Sequence, residues 1–375
     1  MTETVSTRRA FLRRAGVGMA GVAIGGPALL AACSGNATPA LREVRVYNEP
    51  LAIDDNTPQF FERVSGVFLR YHEYTDPAAY LGRLAPGLRA HRDVGADVIV
   101  VPDHQAAQMI EAGWVRRLPT QAAARRCLPE FANPRFDPGR AFSLPYTSTV
   151  VGLAYDRRRV HQPVRSAGAL FDPRFAGKVA LSADPAATLG LTLLASGHKP
   201  DTATASQAAD AVQRVRSAVA AGQVGSFATT EAVDDLVSGR ALLAVARADD
   251  VRAAQPITPT LTFVVPTEGG LLASTNMVVP VGAHNLDEAG VFVDYMFKAD
   301  VCARLASYSN SVPSVAGAID SLRAIDPKAG ADPLIQPDPA TWRRLVIWGG
   351  TAATDVATND FASLVASHRR SALQG

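Results

Sequence analysis

The chain reads as an α/β protein folded into two lobes, and three observations carry that reading. At 375 residues it is longer than one hydrophobic core usually serves, so about two domains are expected. On both sides of residue 145, short apolar runs alternate with helically spaced ones, as in folds that alternate strands with helices. Between these parts lies an extended stretch at residues 142–156. It holds Pro145, which fixes φ and lacks a donor, then a Thr- and Val-rich run, then Arg157-Arg158-Arg159. A strand that leaves one lobe and enters another is a natural hinge.

Composition narrows the class. Charged residues are 19% and hydrophobic ones 47%, which describes a globular body. The formal charge is +2, but residues 1–32 hold four Arg and one Glu, so the remainder is about −1. That balance argues against a nucleic-acid binder held by phosphate contacts. Cys33, Cys127 and Cys302 form no CxxC pair, so neither a zinc ribbon nor a dithiol redox site is expected. Cys127 and Cys302 fit either one disulfide or two buried thiols.

At the N-terminus, Thr7-Arg8-Arg9-Ala10-Phe11-Leu12 is a twin-arginine pattern, a receptor-read export address in which Arg8 and Arg9 are the signal. An uncharged run of small and apolar residues follows and ends Leu30-Ala31-Ala32-Cys33. It is only moderately hydrophobic and contains Pro27, so a cleaved signal at residues 1–32 is expected rather than a spanning helix. Leu-Ala-Ala-Cys resembles the lipobox of bacterial lipoproteins, which implies acylation at Cys33. Residues 33–40 then serve as a polar tether.

The folded body begins near Leu41. Residues 43–48 alternate as a half-buried first strand, and Thr57-Pro58 opens a helix with Thr57 as its cap. Residues 96–102 form a continuous apolar run, the mark of a buried parallel strand, and a helix over 104–112 stops at Gly113. Beyond the crossover, residues 179–181 are a strand, and 186–196, 206–221 and 230–238 are helices. Residues 241–246 are a buried strand, and 261–281 hold two strands split by Glu268-Gly269-Gly270. Residues 287–298 and 300–307 are helical, and segments at 341–348 and 360–371 close the chain.

Several pieces, in order, resemble the spermidine/putrescine-binding family of periplasmic solute-binding proteins of ABC importers. They include Val46-Tyr47-Asn48, Ala96-Asp97-Val98-Ile99-Val100-Val101-Pro102, Ser143-Leu144-Pro145-Tyr146, Phe171-Asp172-Pro173-Arg174-Phe175-Ala176-Gly177-Lys178, Phe263-Val264-Val265-Pro266-Thr267-Glu268-Gly269-Gly270 and Met277-Val278-Val279-Pro280. The resemblance implies a two-lobed type II periplasmic-binding-protein fold, with the ligand in a cleft between lobes joined by crossing strands. Lobe 1 would be residues 41–146 plus about 273–318, and lobe 2 residues 147–272 plus about 319–375. Crossings are expected at 141–155, near 270–280 and around 315–325. Hinge closure on the solute would present a closed form to permease subunits. The chain would act as an exported monomer, lipid-anchored at the outer face of the cytoplasmic membrane, in the periplasm or cell envelope.

A polyamine site needs carboxylates for the ammonium ends and aromatic faces along the methylenes. At the positions where the family places them, this chain departs. Glu49 and Ala52 replace aromatics after Asn48, and Asp103 and Gln105 replace a Ser and an aromatic. Asp184 with Ala187 keeps half of an acidic pair. Arg247, followed by Asp249-Asp250, stands for an aromatic, Ala273 and Thr275 for an aromatic and an Asp, and Gly349 for a Gln beside Trp348. The candidate ligand residues are Asn48, Glu49, Asp103, Gln105, Asp184, Thr229, Arg247, Asp250 and Thr275. An Arg in a polycation site repels its ligand unless paired with an acid. The expected solute is therefore a polyamine or another small amine or zwitterion, including one with its own carboxylate or phosphate.

No enzyme motif is in view. There is no GxSxG elbow, phosphate loop or HExxH, and Asp103-His104 is a lone acid–His neighbour pair. No catalytic residue, cofactor or metal is expected. The alternative of another class is a lipoprotein that keeps the fold, has lost transport and acts as a receptor or interaction module.

Overall fold

The computed structural model describes residues 42–228, 232–350 and 352–374. The export and lipidation residues Arg8, Arg9 and Cys33, and the candidate Thr229, lie outside them.

The first half is built on β1 (Glu43–Asn48), β2 (Phe68–Glu73) and β3 (Val98–Pro102), paired in parallel in the order β2-β1-β3. In β1 every second residue is buried, as its alternating pattern requires. Helix α1 (Thr57–Ser65) begins one residue earlier than a Thr57 cap implies. Asn56 holds the cap position, and Asp54 accepts from the backbone N–H groups of Asn56 and Thr57, both at 3.0 Å. It ends at Gly66, whose φ of 65° favours glycine. Helix α2 (Pro77–Arg89) is capped by Asp76, and α3 (Asp103–Glu111) follows β3 directly. A short β4 (Val115–Arg116) leads towards the crossover.

The crossover is β5 (Ser143–Asp156), fourteen residues long and almost wholly buried. The second half carries β6 (Val179–Ser182), α4 (Pro185–Ala195), α5 (Ala205–Ala220), β7 (Val224–Ala228), α6 (Ala232–Ser238), β8 (Leu243–Arg247), α7 (Ala248–Ala254) and β9 (Leu261–Val264). Helix α5 starts in a capping box in which Thr204 and Gln207 exchange side-chain and backbone hydrogen bonds. The chain returns through β10 (Gly270–Pro280), then α8 (Leu286–Met296), α9 (Ala299–Ser309), α10 (Ala318–Ile325), β11 (Leu345–Val346) and α11 (Ala352–Gln374).

One mixed sheet runs through the described residues in the order β2-β1-β3-β10-β5-β8-β6-β7. Two crossings therefore lie where the sequence puts them, as β5 and β10, antiparallel to each other with a bulge at Thr275/Asn276. The end of β10 pairs with β3, and the end of β5 with β8 and β9. Apolar cores cover both faces of each half. Val44, Val46, Phe61 and Phe292 lie in one core, Ile99, Val101 and Met109 in another. In the second half Leu153, Leu181, Leu191 and Val245 share a core with Phe361 of α11, and Ala180, Val233 and Ala244 lie on the opposite face. Continuous apolar strands covered on both sides are what the parallel parts of such a sheet demand.

One expectation is corrected, and two closing segments take their form. Residues 315–325 do not make a third crossing strand. Most of that stretch is α10, whose Ala318 and Leu322 are buried, Leu322 against Ala303 and Ala306 of α9. Residues 341–348 split into a helical turn at Pro339–Trp342 and β11, which pairs with β10 at Leu271. The last segment is a longer helix than 360–371, spanning α11.

Buried charge pins the first half together. Asp97 accepts from Nε and Nη2 of Arg45 at 3.0 and 2.8 Å and from Asn285 Nδ2 at 2.9 Å, joining β1, β3 and the start of α8. Burial works to raise the Asp97 pKa, but the hydrogen bonds from Arg45 and Asn285 outweigh it and hold the carboxyl at about 2.

Cys127 and Cys302 are free thiols. Burial pushes the Cys127 thiol up to about 11 and raises Cys302 as well. Both are protonated in neutral solution and pack as small apolar groups.

Candidate functional site

The carboxyl ends of parallel strands, with helix starts beside them, form the crevice where open α/β sheets hold ligands. In the first half that edge carries Asn48 at the end of β1, Glu49 after it, and Asp103 after β3. In the second it carries Ser182, Ala228 and Arg247 at the ends of β6, β7 and β8. β5 and β10 run between the two edges.

Arg247 is the centre of charge. Its Nε and Nη2 donate to the two carboxylate oxygens of Asp249 at 3.1 and 2.8 Å, and Asp250 lies 4.0 Å away. Thr149 of β5 donates its hydroxyl to the same Asp249 carboxylate at 2.8 Å, so the Arg–Asp pair is tied to the crossing strand. Desolvation lowers the Arg247 pKa, and Asp249, Asp250 and Glu49 more than reverse that, so it is raised. The side chain nevertheless keeps 45% exposure. Partial desolvation together with access to water fits a group at the rim of the strand-end crevice.

Glu49 reaches Arg247 electrostatically from the other half of the molecule. Its backbone N–H donates to Asn48 Oδ1 at 2.8 Å, and Asn48 is 1% exposed, so a buried amide fixes the start of the Glu49 loop. The structure thus brings Arg247 and Asp250 together, with Glu49 acting on the same guanidinium and Asn48 buried behind the Glu49 backbone. Sequence reading missed Asp249 and Thr149 as members, although both stand in stretches it had singled out.

Other candidates have other occupations. Asp103 is buried; one oxygen accepts from Ser274 N at 2.7 Å and the other from Asn276 Nδ2 at 2.9 Å. Burial raises its pKa to about 6, against the pull of Arg140 and these hydrogen bonds. Arg140 is 0% exposed and donates to Phe131 O at 2.7 Å and Asn276 Oδ1 at 2.9 Å. Asp103 therefore holds β10 at the base of the crossing. Gln105, in the first turn of α3, is 3% exposed, and its Oε1 meets no hydrogen-bond donor among the described residues. Asp184 is exposed and caps α4 by accepting from Ala186 N at 2.9 Å. The Thr275 hydroxyl pairs with that of Thr147 at 2.8 Å on the β5–β10 ribbon, and Ser148 pairs with Ser274 at 2.8 Å on its other face.

A pocket of about 30 Å³ lies at the ends of β6, β7 and β8 beside Arg247 and Asp250. A larger hollow of about 400 Å³ is lined by Val64, Pro119, Val291 and Tyr295 among others. It lies at the end of α1 and along α8, and no residue of the strand-end crevice lines it. The smaller pocket is the one at the charged site. Among the described residues, no group of three or more His, Cys, Asp or Glu is placed to hold a metal, and no helix is long and apolar enough to cross a membrane.

Residues 59–340 match the family model for bacterial extracellular solute-binding proteins. The chain is 24% identical over 334 residues to the putrescine/cadaverine-binding protein of Pseudomonas aeruginosa, covering 83% of this chain and 92% of that protein. In three dimensions it is similar to the spermidine/putrescine ABC transporter substrate-binding protein of Streptococcus pneumoniae. The TM-score is 0.72 at 19% identity, with 88% of this chain and 99% of that one covered. A lipoprotein of Treponema pallidum gives a TM-score of 0.72 at 16% identity over 86% of this chain and 99% of that one. These likenesses establish the periplasmic-binding-protein fold.

Proposed function

Since the chain belongs to the bacterial extracellular solute-binding proteins, whose work is binding rather than catalysis, we propose that it captures a small organic cation for an ABC importer. The solute sits between the two strand-end edges, in contact with Glu49 on one side and Asp250 on the other. Lobe 1 is residues 41–146 plus about 273–318, to which α10 is added by its packing on α9, and lobe 2 is the remainder. Export by the twin-arginine signal and acylation at Cys33 place it at the outer face of the membrane, beside the permease subunits it serves.

One observation carries the charge of the solute. Arg247, the residue that argued from sequence against a cation, is already neutralised by both oxygens of Asp249. Asp249, Asp250 and Glu49 all act on that one guanidinium, so carboxylates outnumber it among the groups that bear on it. A second anion there would be repelled, and an ammonium would be drawn in. The polyamine named for the relatives in Pseudomonas and Streptococcus has that chemistry.

Isothermal titration of the purified protein with putrescine, spermidine, betaine, glutamate and phosphocholine tests this reading. Amines bind and the anion does not, and Glu49→Gln weakens the amines at least tenfold, about 1.4 kcal/mol. Binding of glutamate in preference to every amine would overturn it.

A further inference from the structure

The pocket beside Arg247 has a composition that the charge around it does not require. Its walls are Val151, Ala187, Ala228, Val233 and Ala246, all buried and all ending in methyl groups. Its polar residues, Arg247 and Asp250, belong to the end of β8 and the first turn of α7. Ser182, which also lines it, has its hydroxyl engaged by Asp184 N at 3.1 Å. A linear diamine offers such a pit either an ammonium or a methylene followed by an ammonium. An ammonium pushed past Asp250 against the methyl walls loses its water and meets no second carboxylate among the residues that line the pit.

The geometry points to a solute whose charged nitrogen rests at Asp250 and carries a short alkyl group that fills this pit. The site selects an alkylammonium over a bare diammonium. The inference rests on the cation reading of the cleft and adds the side of the molecule that faces away from the charge. The volume of about 30 Å³ sets the length. A water-sized group needs about 10–15 Å³ on this measure, so one or two carbons fit and a longer chain does not. Each methylene buried against apolar walls tightens binding about fourfold. The departures from the polyamine pattern then have a use: Ala187, which stands where an acid was expected, is one of the walls.

Calorimetry on the whole purified protein with ammonium, methyl-, ethyl-, propyl- and butylammonium chlorides and putrescine decides the matter. Affinity rises about fourfold per carbon over the first one or two carbons and then levels. Ala187→Val fills the pit and removes that gain, so that the series becomes flat. Val233→Ala moves the plateau one carbon further, which a merely destabilised protein would not do; it also serves should Ala187→Val fail to fold. Equal affinity across the series, with putrescine bound more tightly and both variants silent, overturns the alkyl pit and leaves the cation cleft standing. Failure of every amine, putrescine included, overturns both.

Discussion

Replacing Arg140 by Met tests how the base of the crossing strands is held. Met keeps length and apolar volume, so the change removes charge without opening a large cavity. Arg140 is 0% exposed, and its loss strips donors from Phe131 O and Asn276 Oδ1, bonded at 2.7 and 2.9 Å. It also removes the positive charge that pulls on the Asp103 carboxyl. Breaking a buried charge arrangement from one side costs about 3–5 kcal/mol. The pH dependence follows from Asp103, whose folded pKa of about 6 stands above the ordinary carboxylate value. Between pH about 4 and 6 the folded chain binds a proton that the unfolded chain releases, so this group opposes folding more as pH rises, by about 3 kcal/mol in all. Without Arg140 the pKa climbs further and the penalty at neutral pH grows. Urea unfolding followed by tryptophan fluorescence should show Arg140→Met losing about 3–5 kcal/mol at pH 7 and distinctly less at pH 5. A loss under about 1 kcal/mol at pH 7, or an equal loss at both pH values, would refute the account of the network.

Two further predictions concern the cleft and the anchor. Arg247→Ala should tighten putrescine binding about tenfold or more, about 1.4 kcal/mol, since three carboxylates lose their common counter-charge. The midpoint of thermal unfolding should move little, because the side chain is 45% exposed; weaker binding would mean that Arg247 touches the solute as a donor. Cys33→Ala should move the protein from the membrane fraction to the soluble fraction after cell lysis, and unchanged sedimentation with membranes would sink the lipoprotein reading.

Much of this was legible in the sequence, for reasons that differ by segment. The strands at residues 43–48, 98–102 and 143–156 announce themselves because burial on one or both faces forces alternation or continuous apolarity. The stretch near residue 320 misled because its apolar residues suit a helix packed on α9 as well as an extended crossing, and only the partner decides. In the candidate site, Glu49, Arg247 and Asp250 stand out by their departure from the family's pattern. That Asp249 would take Arg247 with both oxygens was not readable, since Asp250 stood equally near in sequence. Asp103 and Asp184 look alike on paper, as acids following a strand. One is buried under β10 and the other caps a helix in solvent, a difference set by tertiary contacts.

The hydroxyl pairs along the crossing strands bear on how such a protein moves. Thr147 grips Thr275 on one face of the ribbon, and Ser148 grips Ser274 on the other. Sliding one strand past its neighbour would break both fastenings together and turn side chains to the wrong face. A hinge closure of the kind proposed would therefore flex and twist the ribbon at constant register, with the bulge at Thr275/Asn276 as the irregular point in the ladder. Motion of that kind would carry the edge holding Asn48 and Glu49 as one body towards Arg247, so that capture and geometry would be set by the same few peptide units.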